Sequence, residues 1–140
     1  MKGYRGKRWL GLLLLLCLLA GMAGCGRKEK ELVKIRDLEF TVLEDANVPE
    51  EMKKQINERK AAPFTLTYVS DGYLYLAEGY GTQKSGGYSI RVSELFETED
   101  EIVFRSELLG PGQNEAVLQM ETHPYIVVKT QDIGKEVIFP

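Results

Sequence analysis

The sequence predicts a β-rich α+β domain with one helix, built as an antiparallel sheet or a partly closed β-sandwich. Three observations lead there. Short runs of alternating or β-branched apolar residues recur from Phe64 to the end of the chain. Turn-forming groups separate them: Ser70-Asp71-Gly72, Glu97-Thr98-Glu99-Asp100, Gly110-Pro111-Gly112 and Asp132-Ile133-Gly134. Only one stretch, after Asn47, carries a helix start signal and helical spacing.

The chain has 140 residues, enough for one domain. Its first 24 residues read as a signal peptide. Lys2, Arg5, Lys7 and Arg8 precede an almost unbroken apolar run of 15 residues, Trp9 to Ala23. A span of that length falls short of the roughly 20 residues that cross a bilayer comfortably, so an uncleaved anchor ranks second. Met22-Ala23-Gly24-Cys25 resembles the lipobox of bacterial lipoproteins. Cleavage before Cys25 would leave its thiol as the lipid acceptor, with small Ala23 and Gly24 giving the processing enzymes access. The plainer reading is a secretory signal that happens to contain a cysteine. Cys17 would leave with the signal, so the exported domain has neither a free thiol nor a disulfide and stands on its apolar core.

Charge changes at the same boundary. The whole chain carries 18 basic and 21 acidic side chains; the signal removes four basic ones, leaving 14 against 21, a net −7. That disfavours nucleic acid as a partner. The exception is the segment 25–36, where Arg27, Lys28, Lys30, Lys34 and Arg36 outnumber Glu29 and Glu31. It reads as a solvated tether that would sit beside anionic headgroups. The single β-rich domain is expected over residues 37–140.

Within it, Leu38, Phe40 and Val42 predict one strand with one apolar face. The helix follows, with Asn47 as its cap, Pro49 in its first turn and Glu50 at capping-box spacing. Met52 and Ile56 share its apolar face, a narrow stripe suited to lying on a sheet, and Pro63 stops it. Phe64–Val69 and Tyr73–Glu78 form a hairpin about Asp71-Gly72. Tyr88–Phe96 and Glu101–Leu108 form another, with Ile102 and Phe104 inward and Val103, Arg105 and Glu107 outward. Ala116–Met120 is too short to assign. Tyr125–Thr130 is a strongly β-branched strand, and Lys135–Phe139 a last short one.

Between the two hairpins lies the stretch Gly79 to Ile90. Gly79, Gly81, Gly86 and Gly87 allow backbone angles that a β-carbon disfavours, and the Gly86-Gly87 pair predicts a turn or bulge with φ > 0 in at least one of them. It is not a P-loop, because Gln83 rather than glycine precedes Lys84-Ser85 and a strand follows. The dinucleotide fingerprint fails because its third glycine falls at Lys84. A structural loop is the plain reading. The sharper one is a partner-binding site using Tyr80, Gln83, Lys84 and Tyr88.

The same stretch carries a family resemblance. Gly79 followed by Thr82-Gln83-Lys84-Ser85-Gly86-Gly87-Tyr88-Ser89-Ile90 resembles the glycine–tyrosine signature of the C-terminal domain of PrcB-like protease-complex subunits. The likeness continues through the charged hairpin Glu94–Glu107, Gly110-Pro111-Gly112 and Thr122-His123-Pro124-Tyr125, and covers roughly residues 62 to 132. Where the family often has Thr before the glycine pair, this chain has Ser85. The resemblance implies a non-catalytic accessory subunit that binds and stabilises an exported protease complex.

The titratable groups agree with a non-enzyme. His123 is the single histidine and precedes Pro124, which suits a surface or packing role better than a general base. No nucleophile-elbow pattern occurs, and His and Cys are too few for a zinc site. Glu99-Asp100-Glu101 could supply calcium ligands but reads first as a solvated hairpin tip. No cofactor is expected. Six tyrosines, Tyr68, Tyr73, Tyr75, Tyr80, Tyr88 and Tyr125, lie in the β half and suit both core edges and interfaces. The runner-up function is therefore a cell-surface module for a small ligand or glycan, although the single tryptophan, Trp9, lies in the signal.

Overall fold

A computed structural model describes residues 31–140; the signal peptide, Cys25 and most of the basic tether lie outside the described residues. Residues Leu32–Pro140 form one compact unit. Eight strands occur in it: β1 Arg36–Asp37, β2 Phe40–Val42, β3 Pro63–Ser70, β4 Tyr73–Tyr80, β5 Ser89–Glu97, β6 Glu101–Leu109, β7 Tyr125–Gln131 and β8 Glu136–Ile138. The helix α1 spans Glu50–Arg59. The strands form two four-stranded sheets, β1-β5-β6-β8 and β2-β7-β4-β3. All neighbouring strands are antiparallel except β6 and β8, which run parallel. The result is a β-sandwich with a helix on one outer face, and not a closed barrel.

Alternation builds the layers. On β4, Leu74 and Leu76 face the first sheet and join Leu95, Ile102, Phe104, Ile126 and Val128 in the inter-sheet core. The opposite face of the same strands carries Ala77, Val127 and Tyr75, and meets α1 through Val48, Met52 and Ile56 in a second core. Met52 and Ile56 are fully buried, so the narrow stripe is enough to seat the helix on the sheet. The β3–β4 turn has φ of +53° at Asp71 and +79° at Gly72, the two left-handed residues of a type I′ hairpin.

Three expectations need correction. Leu38, Phe40 and Val42 do not form one strand with one buried face: Phe40 and Val42 are exposed while Leu38 and Leu43 pack inward. The cause is a crossing. β1 pairs with β5 in one sheet and β2 with β7 in the other, so the chain changes sheets between Asp37 and Phe40 and the alternation loses its phase. Asn47 makes no side-chain cap; it ends a 3-10 turn, Asp45–Asn47, and Pro49 occupies the cap of α1 with no side-chain hydrogen bond. Val103 is fully buried rather than outward-facing. Strand β6 is interior, with Phe96 and Ile138 as cross-strand neighbours of Val103 on either side. The expected turn after β7 leads into the last short strand, which joins the other sheet. Asp132 Oδ1 accepts a hydrogen bond from Gly134 N, and the chain crosses to the first sheet, where β8 lies beside β6.

Candidate functional site

Strand β4 ends at Tyr80, and Gly81 then takes φ = +73° against Pro63, where a β-carbon would lie 2.9 Å from its Cδ. This sharp departure carries the chain out of the sheet at the end of β4. It runs alongside residues 110–122, which have no regular structure but are pinned by hydrogen bonds. Gln83 and Thr122 exchange backbone bonds of 2.8 and 3.0 Å, and Gly86 N donates to Leu118 O at 2.9 Å. Thr122 Oγ1 donates to Ser85 O at 2.7 Å. Gly87, with φ = +85°, completes the turn into β5; a β-carbon there would meet Val117 Cγ1 at 2.5 Å. Gly86 has no such φ and leaves room, its nearest neighbour being Leu118 Cβ at 3.8 Å. The glycine pair is thus one strained position and one ordinary one.

The four residues proposed for partner binding fare differently. Tyr80 turns inward: its hydroxyl lies 2.5 Å from Ser106 Oγ, and Ser106 donates to Glu78 Oε2 at 2.5 Å. Ser106 has one proton, so Tyr80 must donate to it, forming a relay that ends on the carboxylate. Burial pushes the Tyr80 phenol up; the Ser106 bond opposes this, and the charges of Glu78 and Glu107 add to it. Gln83 is half-buried rather than exposed, and its Nε2 donates to Tyr80 O at 3.3 Å. Tyr88 is half-buried near Gly110. Lys84 alone of the four is exposed.

The paired segment supplies surface that the sequence reading did not single out. Leu118 is 73% and Met120 60% exposed, the two most exposed large apolar side chains after β2. The hydrogen bonds above hold their segment alongside residues 83–86. Nothing in the run Ala116–Met120 marks it as surface, because its apolar spacing fits a core strand equally well. His123 is half-buried, with Nδ1 3.1 Å from Thr82 Oγ1. Thr82 Oγ1 donates to Ala61 O, which leaves the Nδ1 proton for the histidine–threonine bond. That is a packing role.

A concavity of about 920 Å³ opens where the chain crosses between sheets. Arg36, Leu38, Phe40, Tyr73, Lys129 and Ile133 line it. Lys129 Nζ sits 3.9 Å from the centre of the Tyr73 ring and 5.8 Å from that of Tyr75. The ammonium therefore occupies a ring face that a sugar would stack on. Arg36 is bound to Glu97, whose carboxyl is held below its usual range by hydrogen bonds from Lys135 and then Arg36.

Among the described residues, no group of three or more His, Cys, Asp or Glu side chains could hold a metal ion. Among them, too, no helix is long and apolar enough to cross a membrane. No curated protein and no solved structure is significantly similar to the chain. One family model does match. It covers β4 through β7, including the glycine loop and the segment that pins it: residues 74–131 match the family model described as PrcB C-terminal.

Proposed function

We propose that this chain is an exported lipoprotein whose β-rich domain is a non-catalytic accessory subunit, binding and stabilising a cell-surface protease complex. The observation that carries the reading is the PrcB C-terminal match over residues 74–131. The lipobox-like Met22-Ala23-Gly24-Cys25 supports an anchor at Cys25. Two acyl chains there would hold the protein at the extracytoplasmic face, since each buried methylene contributes about 0.8 kcal/mol. The basic segment that follows suits a headgroup region.

The partner surface proposed at Tyr80, Gln83, Lys84 and Tyr88 now centres on Lys84, together with Leu118 and Met120 on the segment paired with the loop. Exposed apolar side chains rimmed by polar loop atoms suit a protein interface better than a small ligand. Tyr80 and Gln83 act from beneath, holding the loop's shape.

Co-purification from native membranes tests this. A protease should accompany the wild-type chain, and Cys25→Ser should shift the chain out of the membrane fraction or leave its precursor uncleaved. Recovery of the membrane-bound chain with no protease would overturn the accessory role. Unchanged fractionation and migration of Cys25→Ser would overturn the anchor. The second reading, a small-ligand or glycan module, would use the cleft beside Tyr73 and would have to displace Lys129 from that ring. A glycan-array hit without a protein partner would select it.

A further inference from the structure

Four strands form the sheet edges among the described residues, and three of them are short. β1 has two residues, β2 three and β8 three. The fourth, β3, has eight. Brevity protects the first three from joining another chain. β3 has little of the usual protection beyond Pro63 at its first position. Its sequence, Pro63-Phe64-Thr65-Leu66-Thr67-Tyr68-Val69-Ser70, holds no charged side chain, and it pairs with β4 without a bulge from end to end.

The hairpin fixes which backbone groups lie at the open edge. In a two-residue type I′ hairpin the residues flanking the turn form a hydrogen-bonded pair, here Ser70 and Tyr73. The pattern alternates along the ladder, so Tyr68, Leu66 and Phe64 also bond to β4. The N–H and C=O groups of Val69, Thr67 and Thr65 therefore point away from β4. Among the described residues, no backbone hydrogen bond in turns or loops uses them. Their side chains are exposed, Val69 at 56%.

We propose that β3 pairs antiparallel with β3 of a second copy of this chain, about a two-fold axis at Thr67. Self-complementarity points to a second copy. The two-fold sets Thr67 against Thr67 of the other copy and Thr65 against Val69. Every outward N–H and C=O then meets its partner, giving about six hydrogen bonds, two per pair. β-branched side chains face one another across the joint, a favourable cross-strand pairing. On the α1 side, half-buried Leu66 meets half-buried Tyr68. Pro63, which has no N–H, falls opposite the turn residue Asp71, so the ladder ends where it has no donor left. With no charge on β3, no like charges meet. The two second sheets become one continuous sheet of eight strands with both helices on the same face. An edge of this length buries less than the roughly 1,200 Å² of a stable interface, so the dimer is weak and reversible. It does not depend on the protease reading.

Disulfide trapping in membranes holding the full chain tests it. Residues in a hydrogen-bonded antiparallel pair have Cα atoms about 5.5 Å apart, within disulfide range. Thr67→Cys should give a covalent dimer, with peptide mapping joining the two substituted positions 67 rather than Cys17 or Cys25. Thr65→Cys alone should not exceed the wild-type background, whereas Thr65→Cys with Val69→Cys should. Adding Thr67→Lys to that pair sets like charges at the axis and should lower the dimer yield at least tenfold with an unchanged melting temperature; Thr67→Glu repeats the test with the opposite charge. Equal trapping at Thr67 and Thr65, or capture of a different protein by Thr67→Cys, would overturn the proposal.

Discussion

The ring of Phe64 lies across the backbone of Gly79, its cross-strand partner, where a β-carbon would fall 2.5 Å from Phe64 Cδ1. Glycine here serves packing rather than a special backbone angle, for its φ is not positive. The phenyl ring covers the ladder and reaches the core beneath α1, where it lies 6.5 Å from the Tyr125 ring.

Gly79→Ala should therefore cost about 2 kcal/mol, within the usual range for overpacking. Phe64→Leu made with it should recover part of that loss, since coupled neighbours are not additive. Thermal unfolding of the two single variants and the double variant is the measurement. Simple additivity would mean that the ring moves away freely.

Gly87 and Gly86 should separate cleanly. Gly87→Val faces both a left-handed φ and Val117 Cγ1 at 2.5 Å, and should cost at least about 1 kcal/mol. Gly86→Ala meets only ordinary contacts and should stay within about 0.5 kcal/mol. Equal melting temperatures for the two variants would remove the distinction.

Local chemistry explains which parts of this fold can be read from the sequence. Asp71-Gly72 announces a type I′ turn because few residues accept two left-handed positions in succession. Leu74 and Leu76 against Tyr73 and Tyr75 assign the two faces of β4 correctly, because β4 lies between two cores. The signal weakens where distant segments decide. The crossing after Asp37 is imposed by pairing with β5 and β7, far along the chain. Val103 is buried by its place in the sheet, not by its own alternation. In the candidate site, Gly86-Gly87 was legible, but the inward turn of Tyr80 depends on Ser106, 26 residues away. Leu118 and Met120 became surface only because the loop bonds pin their segment outside the sheets.

Acid should weaken the fold through Glu97. Lys135 and Arg36 hold its folded pKa below the ordinary value, so it binds protons more readily when unfolded. Its stabilisation is complete above the unfolded pKa and is lost as pH falls through the folded one. The melting temperature should drop from about pH 5 downward, and Glu97→Gln should flatten that drop. An identical acid profile for the variant would assign the loss to other carboxylates.

Alkali should act on Tyr125. Burial, then the hydrogen bond to Asp45 at 2.6 Å, push its phenol up to about 12. A raised phenol pKa means that the folded state keeps the proton longer. The resulting stability is present below the unfolded value near 10 and is lost as pH rises through the folded one. Tyr125→Phe should cost about 1 kcal/mol at neutral pH and remove this part of the alkaline decline. A variant that melts like wild type at pH 7 and declines as steeply in alkali would leave the Asp45 bond without energetic weight.

The last prediction separates the partner surface from the scaffold beneath it. Leu118, Met120 and Lys84 are exposed, so Leu118→Ser with Met120→Ser, or Lys84→Ala, should leave the melting temperature within about 0.5 kcal/mol of wild type. Gln83→Ala removes one hydrogen bond of 3.3 Å but spares the backbone bridge to Thr122, so its effect on stability should also be small. Ser106→Ala is the contrasting probe. It breaks the Tyr80 relay, leaves Glu78 without its donor and should cost about 1–3 kcal/mol. If the loop and its paired segment form the protease-binding surface, the Leu118 and Met120 pair should weaken pull-down by at least about tenfold, some 1.4 kcal/mol, with stability intact. Lys84→Ala should slow association more than it speeds release, because rim charges act mainly on encounter. Normal pull-down by all the exposed-residue variants would move the interface to the cleft, where Tyr73→Ala and Lys129→Ala should then be the damaging changes. Lost stability in the exposed-residue variants would instead make this surface part of the scaffold.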